Sequence, residues 1–219
     1  MTEFLDFDDI EVKSKFKEKY KGIIGEKHRI ALIWPRPVEG KNPLPFVKAK
    51  AHYTDKYFLC KDGICCEKLG PPKDRIGCLI IHYKANPKDG VVVRREDAKE
   101  FYCDYVIKPW IFSNTKFEKL KTLHQEWDLK SRDMLVTCEG QEQFQDLTFT
   151  PCKEAIWQMT PAYKERIYRE SELDNADMIR SLGQDLSIEE IKELLGLEIT
   201  QPADNILNQT DLNAILAEV

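Results

Sequence analysis

The chain has 219 residues, of which 42% are hydrophobic and 32% are charged, values typical of a globular domain with an appendage rather than a disordered chain. No run approaches the roughly 18 apolar residues of a membrane helix, and the acidic start MTEFLDFDDI lacks the features of a signal peptide. We therefore expect a cytoplasmic protein with no membrane partner. Its seven cysteines are expected to be thiols or metal ligands rather than disulfides.

The net charge of −5 conceals an uneven distribution of charge along the chain. Residues 11–130 contain 26 lysines and arginines against 16 acidic residues, whereas residues 171–219 contain two against 11. Long blocks of opposite sign predict opposite partners, with a polyanion on the basic block and basic or protein partners on the acidic one. The alternative is a basic surface and an acidic helical face without a special role.

Short strand patterns dominate the first two thirds of the chain. The segment FVKAKAHY (46–53) alternates strictly, which predicts a strand with Lys48, Lys50 and His52 on one face. In chain order, a helix is predicted at 11–22, followed by strands at 29–35, 46–53, 56–60, 77–84 and 100–108, the last of them stopped by Pro109. Capping-box spacing from Thr115 to Glu118 predicts the start of a second helix, and strands are predicted at 132–138 and 143–151, joined across Glu139-Gly140. Helical segments are predicted from 161 to 182 and after a second capping box from Ser187 to Glu190. This pattern predicts an α+β, mainly β protein built on a small barrel.

Basic and aromatic residues are interleaved throughout the strand region. Single-strand binders need this mixture, because cations neutralise phosphates and aromatic rings stack on bases of any sequence. The predicted nucleic-acid-binding residues are Trp34, Arg36, Lys48, Lys50, Tyr53, Tyr57, Phe58, Lys84, Arg94, Arg95, Tyr102, Tyr105 and Trp110. The alternative for any one of these aromatics is a place in the core.

One histidine and three cysteines, His52, Cys60, Cys65 and Cys66, lie within fifteen residues around the turn at Asp62-Gly63. Imidazole and thiolate ligands favour zinc in tetrahedral geometry, and four protein ligands leave no open position for catalysis. We therefore predict a structural zinc site, although adjacent cysteines strain a common tetrahedron. The alternative is three thiols and an exposed histidine without a metal. The remaining cysteines are predicted to be small core residues.

The segment SIEEIKELLGLE places Ile188, Ile191, Leu194 and Leu195 on one helical face. Such a face predicts a helix that binds a partner protein. The alternative is a helix that packs on its own domain.

The sequence contains none of the motifs GxxxxGK[ST], GxGxxG, GxSxG or HExxH. We therefore predict a binding protein rather than an enzyme. Two other functions stay open, namely a protein-interaction adaptor without nucleic-acid binding and a nucleic-acid enzyme with an unrecognised site.

The order of these features over residues 28–155 resembles that of the single-stranded-DNA-binding, helix-destabilising proteins of T-even-type bacteriophages. The resemblance is carried by AHYTDKYFLCKDGICC, GCLIIHYKANPKDG, FYCDYVIKPW followed by TKFEKL, and RDMLVTCEGQEQFQDLTFTP. It implies an oligonucleotide-binding (OB) barrel with an inserted zinc subdomain, with His52, Cys60, Cys65 and Cys66 at the ligand positions. It also implies that Tyr57 and Tyr105 face DNA, and that an acidic C-terminal region binds replication and recombination proteins.

The combined expectation is a protein of three parts, with an N-terminal arm or helix at 1–24, an OB-type core at 25–160 that carries the Cys/His insert at 52–66, and a helical acidic tail at 161–219. By the resemblance, it coats single-stranded DNA during phage replication, recombination or repair in the cytoplasm of an infected host cell. The choice between DNA and RNA stays open.

Overall fold

A computed structural model describes residues 18–37, 43–61, 63–94, 103–141, 144–171 and 175–197. Within these ranges it describes the side chains of all residues except those in 141–145 and 172–177. Arg95 and Tyr102 lie outside the described residues. The elements in chain order are β1 (Lys27–Leu32), β2 (Phe46–Tyr53), β3 (Tyr57–Leu59), α1 (Ile64–Leu69), β4 (Lys73–Tyr83), β5 (Tyr105–Phe112), α2 (Asn114–Trp127), β6 (Met134–Gln141), β7 (Phe144–Pro151), a 3-10 turn (Ile156–Gln158), α3 (Pro161–Glu170), α4 (Asn175–Leu182) and α5 (Ile188–Leu194).

Seven antiparallel strands form one sheet around β4. One edge of β4 pairs with β2 along 73–78 and with β1 along 80–82, and the other edge pairs with β5 along 76–83. The order of the main path is β3-β2-β4-β1-β6-β7. No ladder among the described strands joins β3, β5 or β7 to one another, so the sheet is open there. The mainly β prediction is confirmed, whereas the closed OB barrel is not.

Both faces of β4 are buried, because its side chains alternate between two apolar cores. The first core lies under α2 and contains Ile76, Cys78 and Ile80 of β4 together with Leu120 of α2. The second contains Leu79, Ile81 and Tyr83, and it includes side chains from the 3-10 turn, α3 and α4. A long strand with apolar residues on both faces therefore organises the whole molecule.

A buried carboxylate joins the start of β6 to the loop before α3. Asp133 accepts hydrogen bonds from Arg29 Nε at 3.0 Å, from the Tyr83 hydroxyl at 3.3 Å and from the backbone N–H of Ile156 at 3.2 Å. Burial raises the pKa of Asp133 to about 6, and the Arg29 guanidinium opposes that shift. The carboxylate therefore depends on these three donors to remain charged in the interior.

The region predicted as a tail does not lead away from the sheet where it is described. Tyr163 and Ile167 of α3 and Met178 of α4 belong to the second core, with Ala31 and Ile81 of the central strands. The capping box at Ser187 is confirmed at the start of α5. A helix at the end of a globular chain buries its apolar face on the nearest open surface, and here that surface is the sheet itself.

Three local predictions are wrong. Residues 18–22 are not helical, because Tyr20 is drawn into the first core and its N–H donates to Pro109 O at 2.8 Å. Strand β5 continues through Pro109, which is tolerated because β5 pairs with β4 on one edge only. The helix predicted to open with a capping box from Thr115 to Glu118 begins instead at Asn114, and its N-cap residue, Ser113, makes no side-chain capping hydrogen bond.

Candidate metal centre and candidate nucleic-acid surface

The β2–β3 hairpin brings together the four residues predicted to bind metal, here called the Cys/His cluster (His52, Cys60, Cys65 and Cys66). His52 pairs with Phe58 in the ladder, and the Cys60 N–H donates to Lys50 O at 2.9 Å just beyond β3. The chain then reverses at Gly63, whose φ of 96° is open to glycine but strained for other residues. Helix α1 begins immediately afterwards, which returns both adjacent cysteines to the hairpin.

The distances within the Cys/His cluster fit a tetrahedral metal site. Cys60 Sγ lies 3.5 Å from Cys65 Sγ and 3.4 Å from Cys66 Sγ, and Cys66 Sγ lies 3.6 Å from His52 Nε2. The ligand atoms of all four residues lie within 4.8 Å of one another. Zinc–sulfur bonds of about 2.3 Å set neighbouring sulfurs about 3.8 Å apart in a tetrahedron. The cluster can therefore hold a metal ion with small movements of its side chains.

The protonation of His52 matches this role. Burial lowers the pKa of His52, which favours the neutral imidazole that binds metals. Burial, followed by hydrogen bonds with the thiols of Cys66 and Cys65, raises the pKa of Cys60 to about 12. Cysteine binds a metal as the thiolate, so a bound metal would replace the proton of each thiol ligand. With four protein ligands, the chemistry that zinc would supply is a structural cross-link between β2, β3 and α1.

Two exposed tyrosines of the same hairpin and an arginine of β4 form a second group, and with Lys19 we call it the Tyr–Arg surface (Tyr53, Tyr57, Arg75 and Lys19). Tyr53 and Tyr57 are cross-strand partners with ring centroids 4.8 Å apart, and Tyr53 is 60% exposed. The Arg75 guanidinium lies 3.5 Å from the centroid of the Tyr57 ring. Such a stack presents π faces and a cation together at the solvent boundary.

Like charges meet beside this stack. Burial, and then the positive charges of Arg75 and Lys21, hold the pKa of Lys19 below its ordinary value. Burial also lowers the pKa of Arg75. A fold keeps two cations close at a cost in Coulomb energy, which an anionic ligand would relieve.

The Cys/His cluster and the Tyr–Arg surface occupy opposite faces of the same two strands. Tyr53 follows His52 directly, and Tyr57 precedes Phe58, which packs with Cys65. Because side chains alternate along a strand, whatever fixes the register of the hairpin on the cluster side also fixes the two tyrosine rings.

Three of the predicted stacking residues are core residues, and that prediction is wrong for them. Trp34 and Trp110 belong to the first core, and the indole N–H of Trp34 donates to Leu129 O at 3.3 Å. Phe58 is buried against Cys65. None of these rings offers a face to solvent. Burying a large aromatic ring removes much apolar surface from water, and this stabilises the fold more than leaving the ring exposed at a strand end.

Helix α3 contacts two other predicted residues. Arg36 Nη2 pairs with Glu165 Oε1 at 2.6 Å, and the Tyr105 hydroxyl donates to Glu170 Oε2 at 2.5 Å. Arg36 also lies 4.7 Å from the centroid of the Tyr168 ring. These residues are therefore engaged by carboxylates of the segment that was predicted to be an acidic tail.

The predicted lysines and Arg94 are dispersed. Lys48 pairs with Asp74 at 2.7 Å beside the exposed Lys50, and Lys84 lies 3.8 Å from Asp104 at the far end of β4. Arg94 stands in a bridge with Cys103. Among the predicted binding residues that the structure describes, there is therefore no single groove that unites them.

Sequence reasoning missed Arg75 and Lys19. Arg75 lies before the strand predicted at 77–84, whereas in the structure β4 begins at Lys73 and its register pairs Arg75 with Ala49, on the Tyr53 face. No sequence pattern predicted a binding role for Lys19, because residues 18–22 were expected to be helical.

The predicted partner-binding face is divided by the packing of α5. Ile191 is buried with Phe58 and Cys65, and Leu195 is partly buried in the same cluster. Ile188 is 45% exposed and Leu194 is also exposed. Only these last two remain on the surface.

Searches with the sequence add no further guide to this site. No family model matches the chain, and no curated protein matches it at a significant level. In the part of the chain that the structure describes, no helix has the length and apolar character needed to cross a membrane.

Proposed function

We propose that the protein binds single-stranded nucleic acid, preferably DNA, without regard to sequence and without catalysing a reaction. The observation that carries the proposal is the Tyr–Arg surface, in which two cross-strand tyrosines and a stacked arginine lie together, and in which the charge of Arg75 contributes to the lowered pKa of Lys19. The resemblance in feature order to T-even-type phage single-strand binders supports the same reading, with a role in DNA replication, recombination or repair.

Each residue of the Tyr–Arg surface has a distinct task in the proposed complex. Tyr53 and Tyr57 stack on successive bases, which accept any sequence because every base has a π face. Arg75 orders the Tyr57 ring and, with Lys19, neutralises phosphates.

The Cys/His cluster would serve this function as a structural zinc site. It would hold the short strand β3 against β2 and so fix the separation of the two tyrosine rings. In this proposal the open sheet corresponds to an OB-type fold with the cluster as its insert. Replication or recombination proteins would be recruited through the acidic C-terminal region, with Ile188 and Leu194 as the exposed apolar contacts.

The test is fluorescence anisotropy with a labelled dT oligonucleotide of about 20–30 nucleotides, long enough for the site sizes of such proteins. We expect tight binding that weakens with salt by about −0.7 in the log–log slope for each phosphate neutralised. A duplex of the same length should bind weakly, and an rU oligonucleotide decides between DNA and RNA.

The residue-level test is the double substitution Tyr53→Ala with Tyr57→Ala. Losing a stacked base costs about 1–3 kcal/mol, so the variant should bind dT at least about tenfold more weakly. Trp127→Ala is the matched control, because Trp127 is 48% exposed and also lies beside an arginine, Arg132, at 5.7 Å. An equal loss in both variants, or no binding by the wild type at low salt, would reject the proposal and favour a protein-interaction adaptor.

A further inference from the structure

The segment that follows α4 attaches to the outer edge of β3. Leu59 N–H donates to Gln184 O at 2.8 Å, and Gln184 N–H donates to Tyr57 O at 2.9 Å. Gly183 permits this approach, because a Cβ there would lie 3.1 Å from the carbonyl carbon of Phe58. A salt bridge of 2.5 Å joins Asp185 to Lys61, which follows Cys60 directly.

Helix α5 then covers the Cys/His cluster from outside. Ile191 is 1% exposed and forms an apolar cluster with Phe58 and Cys65. The residues partly buried in the same cluster are Cys60, Ile64, Cys66, Leu186 and Leu195. All three cysteines of the candidate metal centre therefore share a hydrophobic shell with the C-terminal segment.

Neither side of this contact is self-sufficient. Helix α1 has six residues and α5 has seven, and isolated helices of that length do not persist in water. Strand β3 has only three residues. The apolar cluster contains just three fully buried side chains, so its elements depend on one another and on any cross-link among the thiols.

We propose that residues 183–195 form the outer wall of the metal centre, so that metal binding and docking of this segment are one coupled event. This inference rests on the proposed zinc site. Apolar residues around a metal exclude water and orient the ligands, and their loss typically lowers the affinity for the metal. Coupling of two binding events is reciprocal. The factor by which docking of the segment raises the affinity for zinc is therefore the factor by which bound zinc favours docking.

The coupling has a consequence for the acidic C-terminal region. Residues 198–219 follow α5 after three intervening residues and carry four acidic residues and no lysine or arginine. A partner that draws α5 away from the sheet would also weaken the metal.

The first measurement is zinc affinity of the full chain, by competition with a chromophoric chelator, for Ile191→Ala and Ile188→Ala. The two residues lie on the same helix, but Ile191 is buried and Ile188 is 45% exposed. We expect Ile191→Ala to lower the affinity for zinc about tenfold or more, the usual range for residues that support metal ligands. Ile188→Ala should leave the affinity for zinc unchanged. Equal zinc affinities in the two variants would overturn the inference.

The reciprocal measurement is hydrogen exchange by mass spectrometry with zinc bound and after chelation. Exchange should accelerate at Leu59, at Gln184 and along α5 when zinc is removed, while β1 and β4 stay protected and show that the sheet is intact. Gly183→Ala, which pushes the segment off β3 without touching the cluster, should weaken zinc as well. Unchanged exchange along 184–195 after chelation would reject the coupling.

These readouts are independent of nucleic acid. A wild-type chain that binds dT but no zinc would overturn this inference and leave the proposed function standing. A chain that binds zinc with the expected coupling but no oligonucleotide would reject the proposed function alone.

Discussion

Strand β4 is buried on both faces by large apolar side chains, whereas the hairpin corner (β2, β3, α1 and α5) buries few such side chains around three thiols. The strands of the sheet centre run to eleven residues, and the corner is built from elements of three to eight. The contrast teaches that apolar packing is concentrated at the centre of the sheet, whereas the corner contains a group of residues that could hold a metal ion. The corner is also where the exposed tyrosines lie, so the proposed function sits on the region with least packing of its own.

The largest expected effect tests the sheet centre. Trp110→Ala should lower the free energy of unfolding by about 3–5 kcal/mol, because Trp110 packs against Phe112 and Phe149 in the first core. Urea unfolding measures it, with the exposed Trp127→Ala as a control that should lose less than about 1 kcal/mol. The loss at Trp110 should be the same with and without a chelator. A loss that appears only in metal-free protein would break the contrast between the two regions.

A smaller effect, dependent on pH, is expected at Asp133. Its folded pKa of about 6 exceeds the ordinary value of 3.8, so between these limits the folded protein keeps a proton that the unfolded chain releases. Its contribution to stability is therefore complete below pH 4 and declines as the pH rises through 6. The stability difference between wild type and Asp133→Asn should change across this window by no more than about 1.4 kcal/mol per pH unit. A difference that is constant from pH 4 to 7 would contradict the raised pKa.

Thiol reactivity separates the two regions directly. With zinc bound, Cys152, which is half-buried, should be the thiol that a chromogenic disulfide reagent titrates first. Chelation should add Cys60, Cys65 and Cys66, and denaturation should add the buried Cys78, Cys103 and Cys138. The change in absorbance counts each group. Release of the three buried thiols by chelation alone would mean that the sheet also depends on the metal.

The smallest effect is expected at the surface. Lys48→Gln removes a salt bridge of 2.7 Å to Asp74, but both groups are partly exposed, so the free energy of unfolding should fall by less than about 1 kcal/mol. Thermal unfolding at low and high salt checks this. A loss that exceeds that of Trp110→Ala would show that ion pairs, rather than packing, hold β2 to the sheet.

Local periodicity predicted most of the sheet, because alternation in 46–53 and the apolar run after Gly77 are set by which face is buried. It also predicted the membership of the Cys/His cluster, since all four residues lie close together in the sequence. It failed where the outcome depends on distant partners. Whether Trp110 stacks on a base or fills the core is decided by Phe149, almost forty residues later, and the docking of α5 is decided by a surface formed from β3 and α1.

The backbone pairing of Gln184 with β3 blocks part of an edge at which another copy of the chain could add a strand. A strand with unpaired backbone groups is a template onto which another chain can add, and β3 would offer such a row on its outer side. By occupying Tyr57 O and Leu59 N–H, Gln184 removes those two groups from intermolecular use. If this segment undocks, β3 becomes available for strand addition. Preparations stripped of zinc should then self-associate through β3, and the extent should grow with protein concentration.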